Sequence, residues 1–275
     1  MSAAPAPIQR KWKALLKKLA AAHPAPRAPL DDPPAPVTVI ATAVHATMLW
    51  EATLAQADAA LLHLTQHFAD HNDMRVALPS HLIHAIGPQY PLAVERVLRL
   101  KSWLSDLYRR SNCLDLEHLR DVSKTEARRE LLTLHGLPDF AAAHVTVSSL
   151  GGHALPVDDR LLALLQGERV LDGSSTCTQA MELLEPLVTP DELATVLRLL
   201  RSWSDARGTP PSREDSPAFQ PLQLAPLSPL DSAARAALGE TPPAGRRSGG
   251  KRPTASKTSA RAKQSGGAAK QGRSK

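Results

Sequence analysis

The residues best suited to chemistry lie in one stretch near the middle of the chain, Leu134–Asp158, which reads LHGLPDFAAAHVTVSSLGGHALPVD. Gly136 ends one predicted helix and Pro138 suits the first turn of the next, so we predict a tight hairpin between two helices. Glycine tolerates the positive φ that such a turn needs, and the N–H groups at a helix N-terminus bind phosphate. Because Pro138 has no N–H, this hairpin has lost one donor.

This stretch resembles the helix-hairpin-helix core of the endonuclease III superfamily of DNA base-excision glycosylases. Gly136 matches the first hairpin glycine, and Val157-Asp158 matches the V-D pair that ends the following loop. Pro138 stands at the second hairpin glycine. Phe140 stands at the position of the Schiff-base lysine of bifunctional members.

The likeness extends to both sides of the hairpin. Residues 12–19 resemble the first helix of the family, and residues 48–57 resemble a later helix and its turn. In all it covers about residues 8–205. It implies an all-α, two-lobed helix-hairpin-helix glycosylase fold, double-stranded DNA as the partner, and a role in base-excision repair.

The resemblance also assigns roles to individual residues. Asp158 matches the aspartate that supports the developing sugar cation. Gln56 matches a glutamine that fills the gap left by a flipped base. Because Phe140 has no nucleophile, the resemblance implies a monofunctional glycosylase and excludes β-elimination through this position. The DNA contacts that it implies in this part of the chain are Gln56, His135, Gly136, Leu137 and Phe140.

Each assignment has a structural alternative. Asp158, or its neighbour Asp159, can simply cap the helix that starts at Arg160. Phe140 can be an ordinary core aromatic residue, and Gln56 a polar residue in a turn between helices. The whole protein can be a non-catalytic DNA-binding relative that relies on its basic tail, or a helical scaffold that binds protein.

Composition favours helices joined by proline-rich connections, since aromatic residues make up 3% of the chain while alanine and leucine are abundant. Apolar spacing predicts helices over 8–19, 38–54, 59–69, 80–86, 91–109, 123–135, 140–150, 160–165, 177–187 and 190–203. We predict a flexible leader (1–7), a discontinuous terminal lobe (8–57 and 151–205), a middle lobe with the hairpin (58–150), a Pro/Ser/Ala-rich linker (206–243) and a disordered tail (244–275).

The positive charge of the chain is concentrated in that tail. Residues 244–275 hold ten Lys or Arg and no Asp or Glu, so the rest of the chain has 23 basic and 27 acidic side chains. Such a tail favours binding to phosphates without reading sequence, and the alternative is a solubilising tail. The predicted DNA contacts in it are Lys251, Arg252, Lys257, Arg261 and Lys263.

Cysteine and histidine spacing predicts no cofactor and no metal. Cys113 and Cys177 cannot supply the four ligands of an iron–sulfur cluster, and we expect both to be buried thiols. His63, His67 and His71 recur every four residues, but no acidic or Cys partner completes a metal site. No apolar stretch is long enough to cross a membrane, and we expect a cytoplasmic, nucleoid-associated monomer.

Overall fold

The computed structural model describes residues 5–22 and 38–207, which form α-helices and short 3-10 turns and no strand. The all-α prediction is therefore confirmed for these residues. The helices are α1 (Ala6–Ala22), α2 (Val39–Leu49), α3 (Leu54–His67), α4 (His71–Val76), α5 (Pro79–Ile86), α6 (Ala93–Ser111), α7 (Lys124–Thr133), α8 (Asp139–Ser148), α9 (Asp159–Gly167), α10 (Cys177–Leu184) and α11 (Pro190–Ala206). The predicted linker from residue 208 and the tail lie outside the described residues.

Short polar side chains determine where several of these helices begin. Thr53 and Gln56 form a capping box at the start of α3, in which each side chain accepts a backbone N–H from the other residue. Ser123 Oγ accepts the Glu126 N–H at 3.2 Å, so α7 begins where the sequence predicts. Caps of this kind depend only on residues three positions apart in the chain.

The main departure from the predicted helices is at the end of α2. The pattern predicts one helix as far as Leu54, but α2 ends at Leu49 and a short turn precedes α3. Glu51 in that turn adopts a φ of 57°, through which a right-handed helix cannot continue. The capping box at Thr53 then favours a new helix start.

The buried side chains form two hydrophobic clusters. The first is built mainly from α2, α3, α5, α6 and α7 and includes Trp103. The second is built from α1, α9, α10 and α11 and includes Trp12 and Trp203. Helix α8 contributes to both, with Phe140 in the first cluster and Ala143 in the second. The second helix of the hairpin therefore joins the two cores.

These clusters differ from the predicted lobes in one respect. Buried residues of α1 and of the segment 154–203 share the second cluster, but those of α2 and the start of α3 belong to the first. Nine of the eleven residues of α2 are buried, and α2 packs against α3, α6 and α8. A helix that is apolar on all its faces is stable only when other elements surround it. We therefore place α2 with the hairpin-bearing core, and the two lobes stay a prediction.

The two cysteines lie in different environments. Cys177 is partly buried at the start of α10, but Cys113 is exposed after α6. The prediction of two buried thiols is therefore wrong for Cys113, because Asn112 ends α6 in the left-handed conformation and the chain runs over the surface there. Within residues 5–22 and 38–207, no helix is long and apolar enough to cross a membrane.

Candidate functional site

The predicted hairpin joins α7 to α8. Gly136 has a φ of 97°, and a Cβ placed on it would lie 2.9 Å from Ser102 Cβ and 3.2 Å from the Arg99 carbonyl oxygen. The Leu137 N–H closes the turn on the Leu134 carbonyl oxygen at 3.1 Å. Glycine is therefore required both by the backbone conformation and by the close approach of α6.

The backbone donors of this hairpin are partly used inside the protein. The His135 N–H donates to Asp106 Oδ2 at 3.0 Å, and Pro138 has no N–H to offer. No described side chain caps α8, so the N–H groups of its first turn point out of the helix end. These first-turn groups are the donors that remain for a phosphate.

Charges of both signs surround the hairpin. Burial raises the pKa of Asp106, but the His135 N–H and the neighbouring Arg110 and Arg109 lower it by more, so the pKa of this carboxyl lies below its usual range. Arg109 and Arg110 are exposed and paired with the ionised Asp106. Asp139 adds an exposed carboxylate at the start of α8. The hairpin is therefore less attractive to an anion than its two arginines suggest.

Asp158 caps α9 and also contacts the turn that follows α2. Its Oδ1 accepts the Leu161 N–H at 2.9 Å, and its Oδ2 accepts the Glu51 N–H at 3.3 Å. In return, Glu51 Oε1 accepts the Asp159 N–H at 2.7 Å. Asp158 is 2% exposed. The capping role is therefore observed, and it directs the carboxylate toward the turn between α2 and α3.

Phe140 lies in the first turn of α8 and is 3% exposed. Its ring stacks on His144 with centroids 6.0 Å apart, and the Arg201 guanidinium carbon lies 5.6 Å from the Phe140 centroid. Burial, together with the charges of the nearby Arg201 and His45, lowers the pKa of His144 to about 3. His144 is therefore neutral at physiological pH, and neither His144 nor Phe140 supplies an amine that could form a Schiff base.

Side chains of α9 and α11 hold the turn between α2 and α3. Arg201 Nη1 donates to the Ala52 carbonyl oxygen at 3.2 Å, and Asp205 Oδ2 accepts the Leu54 N–H at 3.1 Å. Arg160 and Arg201 each place Nη1 3.7 Å from Asp205 Oδ1. Together with the bond from Glu51 to Asp158, these contacts bring Asp158 and Phe140 to the same turn.

Sequence reasoning missed Glu51, Arg201 and Asp205 in this site. Glu51 carries a usable signal, because it is the only Asp, Glu, Lys or Arg between residues 39 and 57 and follows an apolar helix. Arg201 and Asp205 have the i,i+4 spacing of many surface helices. Nothing in their spacing indicates that they contact a turn about 150 residues earlier.

Comparison with solved structures identifies the fold. A trapped covalent intermediate of endonuclease III with DNA has a TM-score of 0.55 at 13% identity, and the match covers 78% of this chain and 95% of that chain. A non-covalent endonuclease III–DNA complex gives the same values. A thermostable thymine-DNA glycosylase has a TM-score of 0.50 at 17% identity, covering 76% and 94%.

The chain has the fold of endonuclease III. The fold predicted from the residues around the hairpin is therefore confirmed. No protein-family model matches the sequence, and no curated protein sequence matches it.

Within the endonuclease III fold, Gln56 lies in the first turn of α3 and not in the preceding turn. Its Oε1 accepts the Thr53 N–H at 2.9 Å and the Thr53 hydroxyl at 3.1 Å. The alternative that makes Gln56 a turn residue is therefore wrong. A DNA contact by Gln56 stays a prediction.

The other predicted DNA contacts differ in accessibility. His135 is exposed, and its Nδ1 lies 2.7 Å from Ser102 Oγ. Gly136 and Leu137 are buried, so they can offer DNA only backbone atoms. The tail contacts Lys251, Arg252, Lys257, Arg261 and Lys263 lie outside the described residues.

Cys177 is close to the site but is not reactive. Its Sγ lies 3.1 Å from Asp159 Oδ1, and burial, followed by the charge of Asp159, raises the pKa of the thiol. The neutral thiol is a poor nucleophile. Across residues 5–22 and 38–207, no group of three or more His, Cys, Asp or Glu is placed to hold a metal ion.

Proposed function

We propose that this protein recognises duplex DNA in base-excision repair as a monofunctional glycosylase that works without a lysine. The observation that carries the proposal is that Asp158 and Phe140 both lie next to the turn between α2 and α3. Asp158 accepts the Glu51 N–H, and Arg201 contacts both the Phe140 ring and the Ala52 carbonyl oxygen. The site offers a buried carboxylate and no amine. This combination suits hydrolysis of an N-glycosyl bond by water and excludes a Schiff base at Phe140.

The chemistry assigned to Asp158 is electrostatic. When the N-glycosyl bond breaks, its electron pair leaves with the base and positive charge develops on the sugar. The Asp158 carboxylate stabilises that charge, and its effect is larger in a buried site of low dielectric. Water then adds to the sugar and gives up a proton, while the base leaves with a proton, so the product is an abasic strand.

Access to Asp158 requires the turn between α2 and α3 to move. Asp158 and Phe140 are both nearly inaccessible, and Arg201 and Asp205 hold the turn in place. The side chains of Arg201 and Asp205 are themselves 21% and 25% exposed, so water can replace their contacts at modest cost. We expect bound duplex with a flipped nucleotide to displace this turn.

In this proposal, both the hairpin and the tail bind DNA phosphates. The first-turn N–H groups of α8 and the exposed His135 lie together at the hairpin and suit one phosphate. Since Asp106 occupies one hairpin donor, the cations of residues 244–275 supply additional phosphate contacts. The protein acts as a monomer on double-stranded DNA, in the cytoplasm at the nucleoid.

The test is release of a base from duplexes that contain uracil, 8-oxoguanine, a 3-methyladenine-type base, thymine glycol or a mismatch, scored by alkaline cleavage. Asp158→Asn keeps an oxygen for the helix cap but removes the charge and the second oxygen, which accepts the Glu51 N–H. Asp159→Asn is the matched control, because it removes the adjacent charge without touching the cap. The proposal expects release by wild type and by Asp159→Asn, and loss of release in Asp158→Asn.

A second function is a non-catalytic duplex-binding protein of the same fold. The observation that favours it is that both oxygens of Asp158 already bind backbone N–H groups and the residue is 2% exposed. It predicts duplex binding by wild type and Asp158→Asn alike, with no base released from any duplex. Binding that disappears when residues 244–275 are deleted would place most of the affinity in the tail.

A further inference from the structure

Helix α1 has an unusual charge distribution for this chain. It carries five basic residues and no acid, whereas residues 38–207 hold 15 basic and 21 acidic side chains. Its basic residues are Arg10, Lys11, Lys13, Lys17 and Lys18. The strongest concentration of positive charge within the described residues is therefore on α1 and not at the hairpin.

Two of these five cations attach α1 to the rest of the protein. Lys11 Nζ donates to the Arg169 carbonyl oxygen at 2.7 Å, and Lys18 Nζ lies 2.8 Å from Glu168 Oε1. Both partners follow the C-terminal end of α9. Lys11 and Lys18 therefore have a structural role that accounts for their charge.

The other three cations have no such role. Arg10, Lys13 and Lys17 are exposed, and none forms a hydrogen bond or ion pair with another residue in 5–22 or 38–207. Arg10 and Lys13 are three residues apart, and Lys13 and Lys17 are four apart, so like charges face each other along one side of the helix. Such pairs destabilise a helix, and helix stability does not explain them.

The spacing of these cations fits a nucleic-acid backbone. With a rise of about 1.5 Å per residue, Arg10 and Lys17 are separated by about 10 Å along the helix axis. One strand of a duplex presents a phosphate about every 3.4 Å of its axis. Three cations over this length can therefore each meet a phosphate on neighbouring nucleotides.

The opposite face of α1 argues against a membrane as the partner. Trp12, Leu15 and Leu19 are buried in the second cluster, so no apolar face is left to enter a bilayer. The same burial fixes the orientation of the helix and keeps the three cations directed to solvent.

We propose that Arg10, Lys13 and Lys17 form a second DNA-contact surface, the α1 stripe, which binds phosphates of duplex flanking the candidate site. Asp158 caps the first turn of α9, and Glu168 follows its last turn, about 15 Å away. The α1 stripe therefore binds DNA outside the lesion and adds affinity without affecting base selection. This inference rests on the proposed binding of duplex DNA.

The test compares two double variants of the full chain with the same change in charge. Lys13→Gln/Lys17→Gln removes two cations of the α1 stripe, and Lys11→Gln/Lys18→Gln removes the two anchoring cations of the same helix. The affinity of each protein for an undamaged duplex of about 30 base pairs is measured as a function of salt, since each lost phosphate contact lowers the slope of log K against log salt by about 1.

The α1 stripe predicts a slope lower by about 2 in Lys13→Gln/Lys17→Gln, with a melting temperature no lower than that of wild type, because like charges on the helix are removed. It predicts a near wild-type slope and a lower melting temperature in Lys11→Gln/Lys18→Gln. An unchanged slope in the first variant, or equal losses in both, would overturn the inference while leaving DNA binding itself intact. No binding by wild type even at low salt would overturn the proposed function as well, so the two failures are distinguishable.

Discussion

Glu51 and Asp158 hold each other's segments by hydrogen bonds from side chain to backbone. Asp158 Oδ2 accepts the Glu51 N–H at 3.3 Å, and Glu51 Oε1 accepts the Asp159 N–H at 2.7 Å. This reciprocal pair joins residues 107 positions apart and fixes the turn after α2 against the start of α9. These two bonds hold Glu51 at a φ of 57°, a conformation that residues other than glycine rarely adopt.

Removal of the Glu51 carboxylate is predicted to destabilise the fold. Glu51→Ala leaves the Asp159 N–H without its acceptor in a largely buried position and lowers the free energy of unfolding by about 2 kcal/mol. Glu51→Gln keeps an acceptor oxygen and loses less. Urea unfolding of both variants checks the difference, and equal stability of the two would show that the hydrogen bond to Asp159 contributes nothing.

Substitutions of Asp158 are predicted to separate capping from chemistry. Asp158→Ala removes the acceptor for the Leu161 N–H and lowers the free energy of unfolding by about 1 to 2 kcal/mol, because α9 loses its N-cap. Asp158→Asn retains an oxygen for the cap but loses the acceptor for the Glu51 N–H, so it lowers the free energy of unfolding by about 1 kcal/mol. The measurement is again urea unfolding. A loss in Asp158→Asn as large as the loss in Asp158→Ala would mean that the bond to the Glu51 N–H, and not the cap, is the main contribution of Asp158.

The hairpin turn is predicted to be intolerant of any side chain at Gly136. Gly136→Ala combines an unfavourable φ with a 2.9 Å approach to Ser102 Cβ, and it lowers the free energy of unfolding by about 3 kcal/mol. Gly151 is the matched control. It also has a positive φ, of 62°, but a Cβ there has no neighbour within 4 Å, so Gly151→Ala costs only about 1 kcal/mol. Similar losses in both variants would contradict close packing of the hairpin on α6.

The fold is predicted to lose stability in acid partly through His144. Its pKa is lowered from 6.5 to about 3 in the folded protein, so the unfolded chain binds this proton first as the pH falls. This loss in the free energy of unfolding is absent above pH 6.5 and grows by roughly 1 kcal/mol per pH unit as the pH falls toward 3.

His144→Gln removes this titration and should show a shallower loss of stability between pH 6 and pH 4 than wild type. Its control is the same change at the exposed His81, which should follow wild type. Parallel stability curves for wild type and His144→Gln would show that His144 is not held neutral by the fold.

The features that the sequence predicts correctly depend on nearby residues. The positive φ of Gly136 belongs to a local turn, and Ser123 caps an N–H three residues away. The site itself is different, because Glu51, Arg201 and Asp205 each contact a residue more than 100 positions away. Ion pairs and backbone contacts between distant helices leave no periodic signal in the sequence. The contacts that fix the turn between α2 and α3 are therefore visible only in the structure.

The same reasoning explains the misplaced end of α2. The apolar periodicity continues to Leu54, but the helix ends at Leu49. Glu51, two residues later, accepts the Asp159 N–H. A contact with a distant helix overrides the local pattern there. For the same reason, Gln56 belongs to the capping box of the next helix and not to a turn, the structural alternative to its predicted DNA contact.

Product analysis of one reaction tests the central claim most directly. On the duplex from which wild type releases a base, the strand is examined before and after treatment with alkali. A glycosylase that uses Asp158 and no lysine leaves every strand intact until alkali is added, and Asp158→Asn leaves strands uncut even afterwards. Strand breaks before alkali would reveal an amine nucleophile that the site around Phe140 does not contain. Equal release by wild type and Asp158→Asn would remove Asp158 from the chemistry.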